Sequence, residues 1–430
     1  MKITHLTAHL GGGIGNALST LCEYTPQTSS SVRRQVICLE VPEKRQFLER
    51  IESAGVEVVV APSPDEICRI VSDSDIVQVE FWNHPATLEA LYSMRSIPIR
   101  LVVWSHIAGV YNPIIPKKLV TSADAFVVTS RSSLNADSIS GCGRPIDFVC
   151  SAGGMERLPS IERSAYSGEP CRFAYVGTTN FTKMNPAYVR YIAGVGIPNF
   201  KISIFGDERN RTELEKQCME LGRPDLLDFR GYSENIITEL RQIDILVYLL
   251  NRDHYGTAEI ALIEAMAMGV VPIVLDNPVE TGIVENGISG VVATTPKEVV
   301  AAVEMLAADT RRRLMLSEAA KTYARALYTG EKMAREFSEI YGRVLQEAKR
   351  QVAFEDIFGA TPDEWFLSCQ RNRSLYEGRA QIQGPIKREL IPELYETTKG
   401  SVTHFSHYFP VNDQLRRWKD SIASLEVHDL

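Results

Sequence analysis

None of the 8 cysteines, at positions 22, 38, 68, 142, 150, 171, 218 and 369, belongs to a C-x-x-C pair, so neither a zinc knuckle nor a redox dithiol is expected. They read as small buried side chains of a reducing compartment. H-E-x-x-H and G-x-S-x-G are absent, which removes the zinc-peptidase and serine-hydrolase classes. Long apolar runs are also missing. The start, MKITHLTAHLGGG, has one lysine and a short apolar run, too little for a signal peptide or a membrane span. The expectation is a cytoplasmic protein, with peripheral membrane contact left open at PIIPKK, 113–118. Basic charge is scarce: Lys+Arg 46 against Asp+Glu 54 gives a net charge of -8 and argues against nucleic acid as a partner.

What is present is α/β material. At 430 residues the chain is longer than one hydrophobic core usually grows, and an apolar fraction of 44% is ordinary for a soluble protein. Strand-like KITHLTA, RQVICLE, VEVVVA, DIVQVEF, IRLVVWSH and AFVVTS alternate with helix-like runs at 16–24 and 43–53. After the polar SGEP at 167–170 the alternation restarts with FAYVGTT, KISIFG, LLDFRGY, IDILVYLL and VVPIVLD, with helical runs at 212–218 and 236–241. The repetition predicts two doubly wound domains, each with its own strand ends, and a ligand cleft between them. From 294 to about 350 the pattern is successive packing helices. The tail beyond about 352 holds too many aromatics, among them Trp365, Phe405, Tyr408, Phe409 and Trp418, to read as disordered.

Several stretches carry chemistry. In HLGGGIGNAL, Gly11, Gly12, Gly13 and Gly15 let the backbone approach a ligand before a helix expected at about Asn16, whose free N–H groups favour an anion. This is not the dinucleotide fingerprint, and a tight turn is its bland competitor. In FAYVGTTNFTK, Gly177 follows a strand and Lys183 comes six residues later, placed to neutralise a diphosphate unless it is a solvated lysine. The run 251–277 reads as a glycine-broken turn, a helix with Gly256 and Thr257 at its start, then a buried strand. Glu259 and Glu264 would stand about 140° apart on that helix, so they cannot form one acid/base dyad. Glu264, among apolar neighbours, suits a ribose diol, while Glu259 is placed in the first turn, where the helix dipole favours a carboxylate. FWNHP and SHIAG end successive strands, presenting Trp82, His84 and His106 where α/β proteins bind ligands, in a combination suited to sugars. His404 and His407 lack a neighbouring carboxylate pattern and read as aromatic packing.

The N-terminal GGGIG loop, His106 in VVWSH, YVGTTNFTK, SIFGD, DFRGY and IEAMAMGVVPIV followed by ETGIVENGISGVVA together resemble the retaining, nucleotide-sugar-dependent glycosyltransferases of family four, over about residues 1–350. The resemblance implies an α/β chain of GT-B fold, two facing Rossmann-like domains with an interdomain cleft. Residues 1–165 would form the acceptor-side domain and 166–350 the nucleotide-sugar domain, whose last helices are free to pack back on the first; 351–430 is an extension of unassigned role. It implies a hexosyl transfer from a nucleoside-diphosphate sugar to an acceptor hydroxyl of a glycan, glycolipid or small molecule, with no cofactor and no metal. Homo-oligomerisation through the extension stays open.

By the same resemblance Glu264 matches the second glutamate of E-x7-E, which binds ribose; Lys183 matches the lysine that neutralises the diphosphate; and His106 matches the histidine near the transferred sugar. His106, Lys183 and Glu259 are the expected catalytic residues. Gly12, Gly13, Gly177, Thr178, Lys183, Tyr232, Gly256, Thr257, Ala258, Glu259 and Glu264 are expected at the nucleotide sugar, and Trp82, His84 and His106 at the acceptor or sugar pocket. The chain departs from the pattern twice: Thr178 stands where the family has arginine, and Gly256 where it has the first glutamate. A sugar-nucleotide epimerase and a non-catalytic sugar-nucleotide-binding scaffold are the competing readings.

Overall fold

The computed structural model describes residues 1–25, 32–161, 170–376 and 398–423. The start of the second α/β run at 167–169, and the expected boundary between 165 and 166, lie outside them. Two compact units form: Met1–Gly153 with Tyr255–Thr257 and Gly330–Leu430, and Gly154–His254 with Ala258–Thr329.

The first unit is built on a 7-stranded sheet of β1 (Lys2–Thr7), β2 (Arg33–Cys38), β3 (Glu57–Val60), β4 (Ile76–Phe81), β5 (Leu101–Ser105), β6 (Ala125–Val128) and β7 (Asp147–Phe148), in the order β3-β2-β1-β4-β5-β6-β7. Every pairing is parallel. Continuous apolar runs make such strands, because helices cover both faces; all six residues of β4 are buried. The chain order reverses between β1 and β4, and there the loops leaving the strands diverge and open a crevice.

Helices start where local chemistry directs. The helix Pro64–Ser72 opens with proline at its first position and Ser63 accepting from the Glu66 amide, while α1 (Gly12–Glu23) opens at a glycine cluster. Residues 351–376 and 398–423 contribute to this unit's core. Trp365, Phe366, Phe405, Leu415 and Trp418 are buried in one cluster with Phe81, Leu88 and Leu91, so the aromatics of the tail serve internal packing.

The second unit carries a 6-stranded sheet of β8 (Phe173–Val176), β9 (Ile202–Phe205), β10 (Leu227–Gly231), β11 (Ile245–Tyr248), β12 (Val271–Leu275) and β13 (Val291–Ala293), ordered β10-β9-β8-β11-β12-β13. Here too all pairings are parallel, and the reversal falls between β8 and β11. Helix α9 (Ile260–Ala267) connects β11 to β12, with Leu262, Ile263, Ala265, Met266 and Ala267 buried. Among the described residues no helix is long and apolar enough to cross a membrane. In PIIPKK, Ile115 and Pro116 are buried and only the two lysines are exposed. All eight cysteines are free thiols.

Candidate functional site

The reversal point of the second unit gathers charge. Beyond β8 the chain turns at Gly177, whose φ of 152° suits glycine, and its amide bonds the Phe205 carbonyl at 2.9 Å. A Cβ at Gly206 would lie 1.8 Å from the Gly177 oxygen, so only glycine lets these two strand ends meet. Thr178 stays local: its carbonyl accepts from Tyr175 and its hydroxyl from the Asn180 amide group at 2.7 Å. The turn continues through Asn180 and brings Lys183 over the end of β11, where the Lys183 carbonyl takes the Asn251 amide at 2.7 Å.

Lys183 Nζ lies 3.1 Å from Glu259 Oε2, and Tyr248, the last residue of β11, donates its hydroxyl to the same oxygen at 2.5 Å. His254 stands between two carboxylates, with Nδ1 3.7 Å from Glu259 Oε1 and Nε2 3.2 Å from Glu280 Oε2. Asn277 donates to the other Glu280 oxygen at 3.1 Å. The side chains of Glu259 and Glu280 are wholly buried. Burial alone would raise the Glu259 carboxyl, but Lys183, His254 and the Tyr248 hydroxyl overcome it and hold it below its ordinary value. Burial would likewise lower His254, and the charge and hydrogen bond of Glu280, with Glu259 behind, raise it instead. Glu259 Oε1 has no hydrogen-bond partner among the described residues.

This geometry corrects the expected placement of Glu259. The helix opens at Ile260, and Glu259 is its N-cap in the left-handed region, φ 40° and ψ 58°, with no side-chain cap bond. Its carboxylate turns inward to Lys183 and Tyr248, leaving the first-turn amides of α9 uncapped by it. The helical angle between Glu259 and Glu264 therefore does not apply. Glu264 sits on α9 itself, half-buried. Gly256, Thr257 and Ala258 are buried in the preceding loop, where the Tyr255 carbonyl accepts from Ala108 at 3.0 Å. Tyr232 follows the edge strand β10, two strands from β8, and is 55% exposed. Tyr248, His254 and Glu280 escaped the sequence reading, although Tyr248 could have been found as the terminal polar residue of an apolar strand.

The reversal point of the first unit gathers imidazoles. Helix α1 begins four residues earlier than expected, so Gly12 and Gly13 are exposed in its first turn, Gly12 at φ 55°. His106, after β5, has its Nε2 2.9 Å from Glu80 Oε2, and its ring lies 4.7 Å from that of Trp104. Glu80 Oε1 is 3.0 Å from His5 Nδ1, and His5 Nε2 is 2.7 Å from the Arg34 guanidinium. Against the cost of its own burial, hydrogen bonds from His106 and His5 hold Glu80 down at about 2. Glu80, on a fully buried strand, thereby orients His106.

Trp82 and His84, after β4, are brought together with ring centroids 4.7 Å apart. The structure adds His9, two residues past β1 and 5.4 Å from the Trp82 ring, and His404, 4.8 Å from the His84 ring. The carboxylate that the His404 neighbourhood lacks in sequence comes from Glu40, beyond β2: ligand atoms of Glu40, His84 and His404 all lie within 4.8 Å of one another.

With these geometries in view, the chain can be set beside known proteins. Residues 167–323 match the family model described as glycosyl transferases group 1. No curated protein sequence matches the chain. Among solved structures, Anabaena Alr3699/HepE in complex with UDP-glucose superposes at a TM-score of 0.65 with 16% identity, covering 80% of this chain and 99% of that one. A glycosyltransferase from Rickettsia africae gives 0.62 at 15% identity, over 80% and 99%. Sucrose-phosphate synthase from Thermosynechococcus elongatus gives 0.62 at 13% identity, over 80% and 100%. The two parallel sheets, each flanked by helices, match a GT-B fold with two Rossmann-like domains, and the second unit carries the glycosyltransferase-like segment.

Proposed function

We propose that the protein is a nucleotide-sugar-dependent glycosyltransferase that moves a hexosyl group from a nucleoside-diphosphate sugar to an acceptor hydroxyl with retention of configuration. The observation that carries this reading is the Lys183–Glu259 pair at 3.1 Å at the strand reversal of the unit that matches the glycosyl transferases group 1 model. It puts a cation, steadied by a buried carboxylate, beside the uncapped amino end of α9, where amides and dipole favour an anion. A diphosphate leaving group would meet Lys183 together with the amides of Ala258 and the first turn of α9, without a metal. Glu264 would take the ribose hydroxyls, and Gly177 and Thr178 would line the approach. The donor is a UDP sugar by analogy with the UDP-glucose complex of HepE. His106 is assigned to the transferred sugar, oriented by Glu80. By the resemblance to the retaining family, a donor phosphate oxygen would receive the acceptor proton.

The test is a melting-shift screen of UDP, GDP and ADP, followed by incubation of the best UDP sugar with glycan and lipid-linked acceptors. NMR would assign the anomeric configuration of the product. Lys183→Met is expected to lower turnover by about a hundredfold and Glu264→Ala to weaken donor binding by about tenfold. Unchanged kinetics in both would end the assignment, and an inverted product would end the retaining step. A non-catalytic nucleotide-binding scaffold has two observations in its favour, Gly256 in place of the first glutamate and Thr178 in place of the arginine; it would bind UDP and transfer to no acceptor.

A further inference from the structure

We propose that His9, His84 and His404, with Trp82 and Glu40, form a subsite for the hydroxyl groups of a neutral sugar, and that the helix Val402–Tyr408 of the C-terminal extension completes it. This rests on the glycosyltransferase reading and names the class of its acceptor.

The position comes from topology. His9 follows β1, and Trp82 and His84 follow β4, so these three stand at the strand reversal of the first unit, while Glu40 follows β2, one strand further on, and reaches the same group through its side chain. The extension is docked onto the same spot through the residue between Trp82 and His84. Asn83 donates to the Gly400 carbonyl at 3.0 Å, and Gly400, at φ 87°, stands so close that a Cβ there would come 2.7 Å from the Asn83 side chain. Glycine at 400 is thus the condition for His404 to reach His84.

The chemistry comes from the tautomers. The Gly11 amide donates to His9 Nδ1 at 3.1 Å, the Ala86 amide to His84 Nδ1 at 3.2 Å, and the Gly400 amide to His404 Nδ1 at 2.9 Å. A ring nitrogen that accepts an amide proton carries none of its own, so in each neutral imidazole the proton sits on Nε2. Burial, reinforced by Lys399, keeps the rings neutral, His9 and His404 at about 4. Burial with His404 and His9 beside it takes His84 to about 2. Three imidazoles are therefore fixed as Nε2–H donors.

Two donors in the cluster are unanswered. The His84 side chain is 0% exposed, and its Nε2 has no hydrogen-bond partner among the described residues, Glu40 Oε1 standing off at 3.5 Å. Trp82 Nε1 is likewise buried without a partner. A buried donor left unmade is expensive and marks a place where a ligand atom fits.

Three ligand classes can be weighed against this arrangement. A metal would take the Nε2 lone pairs, which requires Nδ1–H groups donating outward; here backbone amides already point at Nδ1. An anion would meet the Glu40 carboxylate. A sugar hydroxyl accepts from an Nε2–H or the indole N–H and donates to Glu40, and the Trp82 face suits its C–H surface. Only the hydroxyl answers every group present.

The test uses the full chain and methyl α-glucoside, methyl α-mannoside and methyl β-galactoside as probes, read by saturation-transfer NMR. The variants are His404→Ala and Trp82→Phe, the latter keeping an aromatic ring and removing the N–H. The melting shift given by UDP is recorded on the same samples. The expected result is binding of at least one glycoside that weakens by about fivefold or more in both variants, with the UDP shift unchanged. Absence of glycoside binding in wild type, equal binding in wild type and both variants, or tight Zn2+ binding lost in His404→Ala would each overturn the subsite. Glycoside binding without any UDP shift would support the subsite and remove the donor reading instead, so the two fail separately.

Discussion

Replacing Glu259 by glutamine removes one charge from the Lys183 pair while nearly keeping its shape. The Glu259 side chain is 0% exposed and that of Lys183 is 19% exposed. Orphaning a fully buried charge costs about 3–5 kcal/mol. Lys183 retains a path to water, and the amide oxygen still accepts from Tyr248, so a loss of about 2 kcal/mol is expected. For a unit of this size that is a fall in Tm of roughly 4–8 °C. The loss also has a pH signature. The folded Glu259 carboxyl is held below its ordinary value, so its stabilisation is complete above the unfolded carboxylate pKa and disappears as pH falls through the folded one. The stability gap between wild type and Glu259→Gln should be flat from pH 6 to 8 and shrink below about pH 4. Binding moves the other way. Lys183, no longer neutralised, should hold UDP about fivefold more tightly, a gain of about 1 kcal/mol, while turnover falls because the ammonium is no longer steadied. Urea titration across pH and calorimetry with UDP read both arms. An unchanged Tm with weaker UDP binding would refute the reasoning, because Glu259 would then touch the donor itself instead of holding Lys183.

Three further outcomes follow from the packing. Gly206→Ala would drive a methyl group into the Gly177 carbonyl at 1.8 Å, and a loss of about 3 kcal/mol with failure of the UDP melting shift is expected; a wild-type Tm would contradict the close approach. His254, raised between Glu280 and Glu259 despite its burial, adds stability that is complete below the unfolded value and fades as pH rises through the folded one. His254→Asn should therefore destabilise more at pH 6 than at pH 9, and an equal loss at both would rule out the charged imidazole. Deletion of 351–430 removes Trp365, Phe366, Phe405, Leu415 and Trp418 from the first unit's core. Each contributes roughly 1.5–3 kcal/mol, together rivalling the ~5–15 kcal/mol of a whole domain, so the first unit of the truncated chain should unfold, with loss of the tryptophan near-UV circular dichroism of Trp82 and Trp104. A soluble, cooperatively melting truncation would show the extension to be dispensable.

The sheets were legible because parallel strands covered on both faces are apolar throughout, and runs such as DIVQVEF and IDILVYLL announce them without any partner. Lys183, His84 and Trp82 were legible because each lies a few residues past such a run. Glu259 was visible as a carboxylate near a helix start, but its conformation was not. Propensity places glutamate in the first turn, and only the contacts of Lys183 and Tyr248 reward a left-handed backbone that costs about 1–2 kcal/mol. The neighbours of His404 in sequence offer no carboxylate; Glu40 and His84 lie more than three hundred residues away and meet it through the Asn83–Gly400 contact. His5 and Glu80 were hidden differently, as polar residues within buried strands, where the run reads as apolar and the pairing that satisfies them requires β1 beside β4.

Strand order explains why the residues found and those missed fall into the same two groups. Reversal between β1 and β4, and between β8 and β11, turns neighbouring loops apart, so anything just past those strands faces a crevice. The two crevices then differ in chemistry. In the second unit a buried carboxylate sets a lysine beside uncapped amides, a surface for negative charge. In the first, burial strips the imidazoles of charge and backbone amides fix their protons on Nε2, a surface for hydroxyl oxygens. A chain that only bound nucleotides would have use for the first of these surfaces and none for the second. The cost of burying the His84 and Trp82 donors unpaired, about 1–3 kcal/mol each, is therefore the strongest physical reason to look for a sugar acceptor.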